Sequence, residues 1–293
     1  MPTIIIDRFD GKNSFEQSYK LDPADVAGKT VLNTLLFIKQ TQDPTLNFTA
    51  SCRCAICGAC AVRVNGHAVL ACDTKMDDLA KTYGSDTFHI SPLANFKVIS
   101  DLVVDWEPAM ENLRKVHPGM VAKSEFSMKE GCRQNQKEFD RIIKQWDCIL
   151  CGACASECNK LSADRSDYME PFVFLWNCVH CQECASRCPK GISAADDIAG
   201  LRAMVMAKGM TDGVGPAHAK SFYTDLVEDS GRLNEVRLAL RTEGISTIAR
   251  AGMAVTLLRQ GKMNPLEAFG GETIEGHDAL VKMIQAAHAA EKE

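Results

Sequence analysis

The chain opens with two short stretches in which hydrophobic and polar residues alternate as they do in β-strands. Thr3–Phe9 is rich in β-branched residues, Asp10-Gly11 marks a turn, and Ser14–Leu21 is predicted to be the returning strand. Thr30 can cap a helix that runs to about Gln40. The apolar face of that helix comprises Val31, Leu32, Leu35, Leu36 and Ile38. The pattern predicts a hairpin packed on one helix.

Helical periodicity dominates the second half. Predicted helices cover Lys137–Trp146, Ser193 to about Lys208, Ala217–Val227, Arg232–Arg241, Ile245–Gly261 and Asp278 to the end, with Gly213–Pro216 as an interruption. An apolar stripe recurs every three or four residues, comprising Leu233, Val236, Leu240, Ile248, Met253, Val255 and Leu258. We expect this stripe, and Met204, Met206 and Met210, to pack against the chain's own core rather than to form a groove or a membrane-docking face.

Composition narrows the class of protein. A chain of 293 residues can hold two domains, and its net charge of −5 argues against nucleic acid as a partner. The opening MPTIIIDRFD lacks the basic start and apolar run of a signal peptide, and no stretch of eighteen uncharged apolar residues occurs. With 14 cysteines, the expectation is reduced thiols that bind metal in a reducing compartment.

Two four-cysteine runs stand out at the centre of the chain. Each run has the spacing C-x₂-C-x₂-C-x₃-C, by which bacterial-type ferredoxins hold two cubane clusters. Three cysteines of a run bind one cluster and the fourth reaches the other. The spacing predicts one [4Fe–4S] cluster on Cys148, Cys151, Cys154 and Cys188, and another on Cys158, Cys178, Cys181 and Cys184.

Zinc and disulfides are the two other uses to which these cysteines could be put. Two CxxC pairs can form a Cys₄ zinc site, but zinc has no need of eight interleaved ligands. Disulfides would require an oxidising compartment, which the missing signal peptide argues against. The double-cluster interpretation is therefore preferred.

A third cysteine motif lies in the N-terminal part. Cys52, Cys57 and Cys60 give C-x₄-C-x₂-C, the plant-type [2Fe–2S] spacing, with a distant fourth ligand expected. Asn65-Gly66 between short apolar runs predicts a hairpin that returns Cys72 beside Cys60. Gly58 would let the loop backbone approach the sulfides and donate N–H bonds to them. A hairpin packed on one helix is also how a plant-type ferredoxin domain begins.

Two cysteines have no predicted ligand role. Cys54 fits no ligand position and is expected to be a small side chain packed in the loop. Cys132 lies in a polar linker and is expected to be a free surface thiol.

These motifs closely resemble those of the iron–sulfur subunit of succinate dehydrogenase or fumarate reductase. The resemblance rests on SCR-x₂-ICGAC…LAC, LANFKVISDLVVD, CILCGAC and CPKGI, and covers about residues 1–195. It implies a subunit that carries electrons between an FAD-containing flavoprotein and a quinone-reactive membrane subunit through three clusters in a row. The family's dicarboxylate and FAD sites lie on the flavoprotein, so no catalytic residue is expected here. The helical tail after residue 200 looks more like iron–sulfur subunits of heterodisulfide-reductase type.

Three departures from the common family pattern refine the expectation. Cys181 stands where most members have no cysteine and hold a [3Fe–4S] cluster, so a second [4Fe–4S] is implied, with [3Fe–4S] as the alternative. This resembles non-classical succinate dehydrogenases and methylmenaquinol- or thiol-linked fumarate reductases, whose membrane-side partner is a Cys-rich subunit with CCG motifs. Asn159 replaces a usual Pro, and the loop between Cys158 and Cys178 is short.

The family also places quinone-contacting His and Trp residues near the third cluster. His180 and Trp176 lie close to that position in the sequence, but at a different spacing. A buried packing role is at least as well supported for both side chains.

The sequence therefore predicts an α+β chain with two domains. Residues 1–105 form a β-grasp [2Fe–2S] ferredoxin domain, and residues 106–293 an all-α double-cubane domain with a helical extension from about residue 200. The expected function is electron transfer in a succinate dehydrogenase or fumarate reductase that is peripheral to the membrane through its partners, on the cytoplasmic face unless it is exported with a signal-bearing partner. The alternatives are a relay for another flavoprotein dehydrogenase or a heterodisulfide reductase, and a zinc-binding scaffold without redox activity.

Overall fold

The structure is a computed structural model. It describes residues 1–115, 129, 131, 135–163, 175–244, 246, 251–262 and 272–290. Cys132 lies outside these residues, so its predicted role as a surface thiol stays a prediction. The chain divides into two compact units, Met1–Gly200 and Leu201–Glu293, and each is described by itself.

The first unit begins with a mixed β-sheet. Its strands are β1 (Thr3–Phe9), β2 (Ser14–Lys20), β3 (Ala61–Val64), β4 (His67–Leu70) and β5 (Thr87–Ser91). The strand order is β2-β1-β5-β3-β4. β1 and β5 run parallel, whereas the other neighbouring strands pair antiparallel. The predicted hairpin of β1 and β2 is confirmed.

Three helices accompany this sheet: α1 (Pro23–Val26), α2 (Val31–Thr41) and α3 (Met76–Tyr83). The side chain of Thr30 caps α2 by accepting the N–H of Asn33 at 3.2 Å, as the sequence predicts. Most of the predicted apolar face of α2 is buried in the core under the sheet, namely Val31, Leu32, Leu35 and Ile38, while Leu36 is partly buried.

The hairpin of β3 and β4 forms where Asn-Gly predicts it. Asn65 and Gly66 have φ angles of 49° and 84°, and two successive positive φ angles are the mark of a type I′ turn. The strand pairs run from Val64 opposite His67 to Ala61 opposite Leu70. The chain therefore turns back over two residues and returns to the start of β3.

A network of buried charges surrounds Arg8 on β1. Arg8 Nε donates to Asp101 Oδ1 at 2.8 Å, and Arg8 Nη1 donates to Asp43 Oδ2 at 2.5 Å. Asp101 also accepts the backbone N–H groups of Phe9 at 3.1 Å and Asn47 at 2.7 Å. Because each of these charges is buried and hydrogen-bonded, the network ties β1 to the loops on either side of the cysteine segment.

Beyond the sheet the chain is helical after a small hairpin of β6 (Val98–Ser100) and β7 (Val103–Val104). The first unit then contains helices at Glu107–Lys115, Gln136–Ile142, Ala153–Ser156, Asn159–Ala163 and Glu183–Ser186, a 3₁₀ turn at Ile143–Asp147, and the first part of the helix Ala194–Ala207. A sheet followed by helices confirms the α+β class. The predicted boundary at residues 105 and 106 stays a prediction.

The second unit is helical throughout the part that the structure describes. Its elements after the helix at Ala194–Ala207 are Val214–Tyr223, a π-helical turn at Thr224–Asp229, Glu235–Glu243, Ala251–Arg259 and His277–Ala290. Asp225 is 1% exposed, and Arg241 binds it at 2.5 Å and Asp229 at 2.9 Å. These ion pairs join two neighbouring helical segments.

The prediction that the apolar stripe of the second unit packs inside is wrong for several of its members. Leu240, Met253, Val255 and Leu258 are exposed, as are Met204 and Met210. Ile248 lies outside the described residues. Periodicity reports which residues share a helix face, but not whether a neighbour covers that face. Among the described residues, no helix has the length and apolar character needed to cross a membrane.

Candidate iron–sulfur sites

The first cysteine loop directs its backbone N–H groups at sulfur. The N–H groups of Cys54, Ile56 and Cys57 point at Cys52 Sγ from 3.4, 3.4 and 3.3 Å. The N–H of Ala55 points at Cys72 Sγ from 3.2 Å. Hydrogen bonds from backbone N–H to ligand sulfur are one of the means by which proteins tune iron–sulfur clusters.

Positive φ angles produce this arrangement. Arg53, Ala55 and Gly58 have φ angles of 60°, 59° and 73°. For a residue other than glycine this conformation costs about 1–2 kcal/mol, and such strain persists where a site requires it. The alternating backbone turns successive N–H groups inward, which makes a concave anion-binding surface.

The hairpin brings the fourth predicted ligand to this loop. The N–H of Cys72 lies 3.4 Å from Cys60 Sγ, and the N–H of Ala71 donates to the carbonyl of Cys60 at 3.1 Å. Cys52, Cys57, Cys60 and Cys72 therefore share one loop region, as the sequence predicts. Cys54 is exposed rather than packed, so the expectation of a packed small side chain is wrong.

The thiols of this loop differ in acidity. Backbone N–H groups, first that of Cys54, lower the pKa of Cys52 from 9.0 to about 6 because they stabilise the thiolate. Burial raises the pKa of Cys60 to about 12. Iron binds thiolates, so Cys60 would have to give up its proton to serve as a ligand, which would couple metal binding to its deprotonation.

The two four-cysteine runs have the same backbone conformation. In the first run Leu150 and Gly152, which flank the second cysteine, have φ angles of 53° and 77°. In the second run the equivalent residues His180 and Gln182 have φ angles of 57° and 64°. Each run then enters a one-turn helix, Ala153–Ser156 and Glu183–Ser186 respectively. Sequences that differ at both strained positions thus adopt one loop shape.

Two cavities lie among these cysteines. One, of about 200 Å³, is lined by the first predicted set, Cys148, Cys151, Cys154 and Cys188. The other, of about 190 Å³, is lined by the second predicted set, Cys158, Cys178, Cys181 and Cys184, together with Cys154. The fourth cysteine of each run is therefore found with the first three of the other run.

The electrostatics of the thiols follow the same grouping. Burial raises the pKa of Cys151, and the neighbouring Cys188 and Cys148 add to the rise. Burial likewise raises the pKa of Cys184, with further contributions from Cys178 and Cys158. Four clustered thiols in a small cavity suit a cationic iron–sulfide core, because soft thiolates are the ligands that iron–sulfur clusters prefer. The chemistry of the donor sets thus fits three iron–sulfur clusters.

Glu157 fastens the first run to the ferredoxin sheet. Its side chain is 7% exposed, and Oε1 accepts Arg63 Nε at 3.1 Å and the N–H of Ala68 at 3.2 Å. Ser156 Oγ also donates to Glu157 Oε1, at 3.2 Å. The sequence did not single out this glutamate, because its partners lie about ninety residues away.

Asn95 also hydrogen-bonds to the first four-cysteine run. Its side-chain amide donates to the carbonyls of Ala155 at 2.8 Å and Cys158 at 3.2 Å, where the short helix Ala153–Ser156 ends. Beside it, Phe96 and Trp106 pack with ring centroids 4.9 Å apart. Asn95 lies within the LANFKVISDLVVD segment, so the sequence points to this motif but not to the role of the asparagine.

The two residues near the third predicted cluster, His180 and Trp176, differ in burial. His180 is exposed, so a buried packing role for it is wrong, whereas Trp176 is half-buried. His180 Nε2 lies 3.8 Å from Asp196 Oδ1, and its Nδ1 lies 3.3 Å from the side-chain nitrogen of Gln182. The exposed His180 ring thus lies in a polar setting beside the second cavity.

Comparisons with known proteins agree with this geometry. The model of a family described as a 2Fe-2S iron-sulfur cluster binding domain matches residues 3–111. The chain is 36% identical over 161 residues to the mitochondrial succinate dehydrogenase (ubiquinone) iron-sulfur subunit 1 of Oryza sativa subsp. japonica, covering 54% of this chain and 55% of that protein. A solved structure titled Mycobacterium smegmatis Sdh1 complex in the apo form matches with a TM-score of 0.59 at 23% identity, covering 68% of this chain and 94% of that one, which shows a shared fold.

A further relative matches from end to end. The chain is 69% identical over 316 aligned positions to the 8-methylmenaquinol:fumarate reductase iron-sulfur subunit of Wolinella succinogenes, and the alignment covers 99% of each protein. With identity at this level over the full length, the two proteins share one fold. The chain belongs to the family of iron–sulfur subunits of fumarate reductases and succinate dehydrogenases, which are electron-transfer subunits of oxidoreductase complexes.

Proposed function

We propose that this chain transfers single electrons between a flavoprotein that reduces fumarate and a subunit that oxidises a methylmenaquinol. The observation that carries the proposal is that each of two cavities is lined by one predicted set of four cysteines, with Cys154 of the first set also lining the second cavity. The end-to-end relative supports the choice of quinol and of fumarate.

Three ligand sets are assigned. Cys52, Cys57, Cys60 and Cys72 would hold a [2Fe–2S] cluster, Cys148, Cys151, Cys154 and Cys188 a first [4Fe–4S] cluster, and Cys158, Cys178, Cys181 and Cys184 a second. When bound, such clusters accept and release one electron at a time, which connects the two-electron chemistry of a flavin to a chain of single transfers. The domain assignment of 1–105 and 106–293 follows these sets.

The chain's own residues position these sites. The loop at 52–57 aims N–H groups at ligand sulfur, which favours the more negative form of a bound group. Glu157 and Asn95 fix the first four-cysteine run against the sheet. Held in this way, the ligand loops of one unit keep their mutual distances when partners bind.

The partners follow from the family. The ferredoxin domain is proposed to face an FAD-containing flavoprotein, and the second cavity a Cys-rich subunit of CCG type at the membrane. The chain itself would be peripheral to the membrane, on its cytoplasmic face. A relay for another flavoprotein dehydrogenase or for a heterodisulfide reductase would use the same cysteine sets with different partners.

The test is purification of the native complex through a tag on this chain. We expect a flavoprotein and a Cys-rich subunit to copurify, and this subunit to carry about ten iron atoms, the sum for one [2Fe–2S] and two [4Fe–4S] clusters. The complex should oxidise a methylmenaquinol analogue with fumarate. Stoichiometric zinc without iron would support the scaffold alternative. Activity with another flavoprotein substrate and none with fumarate would support the alternative relay.

A further inference from the structure

Two predicted ligand loops of the first unit meet backbone to backbone at Gly58. A Cβ atom added to Gly58 would lie 2.8 Å from Cys151 Cβ, 2.8 Å from the carbonyl oxygen of Ile149 and 2.9 Å from Cys151 Cα. Gly58 follows Cys57 in the predicted [2Fe–2S] loop, whereas Cys151 is a predicted ligand of the first [4Fe–4S] cluster. The two loops are therefore as close as a glycine permits.

A larger residue would separate the loops. Ordinary van der Waals contact of a Cβ begins at 3.4 Å, so an alanine at this position requires a shift of about 0.6 Å against backbone atoms that cannot rotate away. The contact is also shielded from solvent, because Gly58 and Cys151 are both buried. All twelve predicted ligands lie in the described part of the chain, and Cys60 and Cys151 are the buried ones among them.

We propose that Gly58 is the residue that sets the separation between the [2Fe–2S] site and the first [4Fe–4S] site, and with it the rate of electron exchange between them. The inference rests on the proposed ligand sets. The exchange moves one electron and no atom: one site is oxidised by one electron while the other is reduced by one. Tunnelling slows steeply with distance, so glycine is required for speed and not for ligation.

The positive φ of Gly58 offers a purely structural explanation, which a matched variant separates. Gly84, at the end of α3, has a φ of 59°, similar to the 73° of Gly58, but an added Cβ there would meet nothing within 4 Å. Gly84→Ala therefore introduces the backbone strain of an L-residue at positive φ without a clash, at a position outside the ligand loops. Gly58→Ala introduces both.

The experiment compares the intact complex with its Gly58→Ala and Gly84→Ala forms by electron paramagnetic resonance. In the wild type, reducing the first [4Fe–4S] cluster should speed the spin relaxation of the reduced [2Fe–2S] cluster, because two paramagnetic centres in close proximity couple. Gly58→Ala should weaken this enhancement and slow electron exchange in rapid-freeze samples, with both cluster signals at full intensity. Gly84→Ala should leave both quantities as in the wild type.

The outcomes distinguish this inference from the proposed function. Wild type with both signals but no relaxation enhancement would overturn the role of Gly58, as would unchanged coupling in Gly58→Ala. Absence of either cluster signal in the wild type would instead overturn the proposed ligand sets. Should Gly58→Ala assemble no [2Fe–2S] cluster, Glu157→Ala serves as the second variant. It loosens the first four-cysteine run from the hairpin of β3 and β4 without adding atoms, and should weaken the coupling.

Discussion

Glu157 provides the sharpest test of how the ferredoxin sheet is joined to the first four-cysteine run. The change is Glu157→Ala, which removes a buried carboxylate that accepts Arg63 Nε and the N–H of Ala68. Glu157→Gln is the conservative partner, because its amide oxygen can still accept the N–H of Ala68. We expect the two variants to differ clearly.

The magnitude follows from the two contacts. Ala68 N–H would lose its acceptor in a partly buried setting, which costs about 1–3 kcal/mol. Arg63 is 28% exposed and can turn to water, so the lost ion pair adds at most about 1 kcal/mol. Glu157→Ala should therefore lower the free energy that holds the hairpin on the first four-cysteine run by about 1–4 kcal/mol, whereas Glu157→Gln should cost at most about 1 kcal/mol.

Hydrogen exchange of the hairpin at residues 61–72, followed by mass spectrometry, measures this effect. A loss of about 2 kcal/mol should speed exchange at Ala68 by about thirtyfold, since 1.4 kcal/mol is tenfold. Glu107→Ala is the control, because Glu107 pairs with Arg114 at 2.7 Å but both side chains are about two-thirds exposed. Equal exchange in Glu157→Ala and wild type would refute the reasoning, as would an equal effect of Glu107→Ala.

Three further predictions concern the ferredoxin domain. Cys72→Ser should alter the [2Fe–2S] resonance and spare the cubanes, while Cys54→Ser should do neither; the reverse result would make the ligand assignment wrong. Burial raises the pKa of the Asp43 carboxyl, but hydrogen bonds from Thr45, Tyr19 and Arg8 lower it by more, so the pKa lies below its usual value. Its contribution to stability is thus complete above about pH 4 and lost as pH falls further, and Asp43→Asn should flatten that acid dependence in urea unfolding. Thr30→Ala should lower the free energy of unfolding by about 1 kcal/mol in the same assay. No loss would mean that the hydrogen bond from the Asn33 N–H to the Thr30 side chain does not stabilise the domain.

The sequence predicts the ligand sets because the spacing of the cysteines within each motif is a feature of a short stretch of chain. The loop shape depends on residues within a dozen positions, and the Asn65-Gly66 turn places Cys72 by itself. The central strand β5 and helix α3 were missed for the opposite reason. β5 has five residues, of which Phe88 and Ile90 are buried, and so short an alternation is recognised only when its neighbours in the sheet are known.

Long-range polar contacts and partner surfaces were also beyond the sequence. Glu157, Asn95 and Gly58 owe their roles to residues that the fold brings together from far along the chain. The exposed apolar residues after residue 200 were predicted to be buried because a periodic pattern is the same on a covered face and an open one. Whether such a helix face is buried depends on what packs against it, and not on its own sequence pattern.

Cys181 separates this chain from family members with a [3Fe–4S] cluster, and the structure gives a reason to expect a fourth ligand. The residues on either side of it, His180 and Gln182, hold positive φ angles like their counterparts Leu150 and Gly152. Residues other than glycine that are held at positive φ are concentrated at functional sites, so the shared conformation supports a ligand at Cys181. Cys181 also lines the second cavity.

The change that tests it is Cys181→Ala in the intact complex. Without a thiol at that corner the iron there has no protein ligand, so the oxidised variant should show a [3Fe–4S] resonance of about one spin per chain that the wild type lacks. Cluster type is a main determinant of potential, so a redox titration should show a shifted midpoint for the second cubane site and an unshifted one for the first. Cys54→Ala, which also removes an exposed thiol, controls for nonspecific damage. A stoichiometric [3Fe–4S] signal in undamaged wild type would show that Cys181 is no ligand.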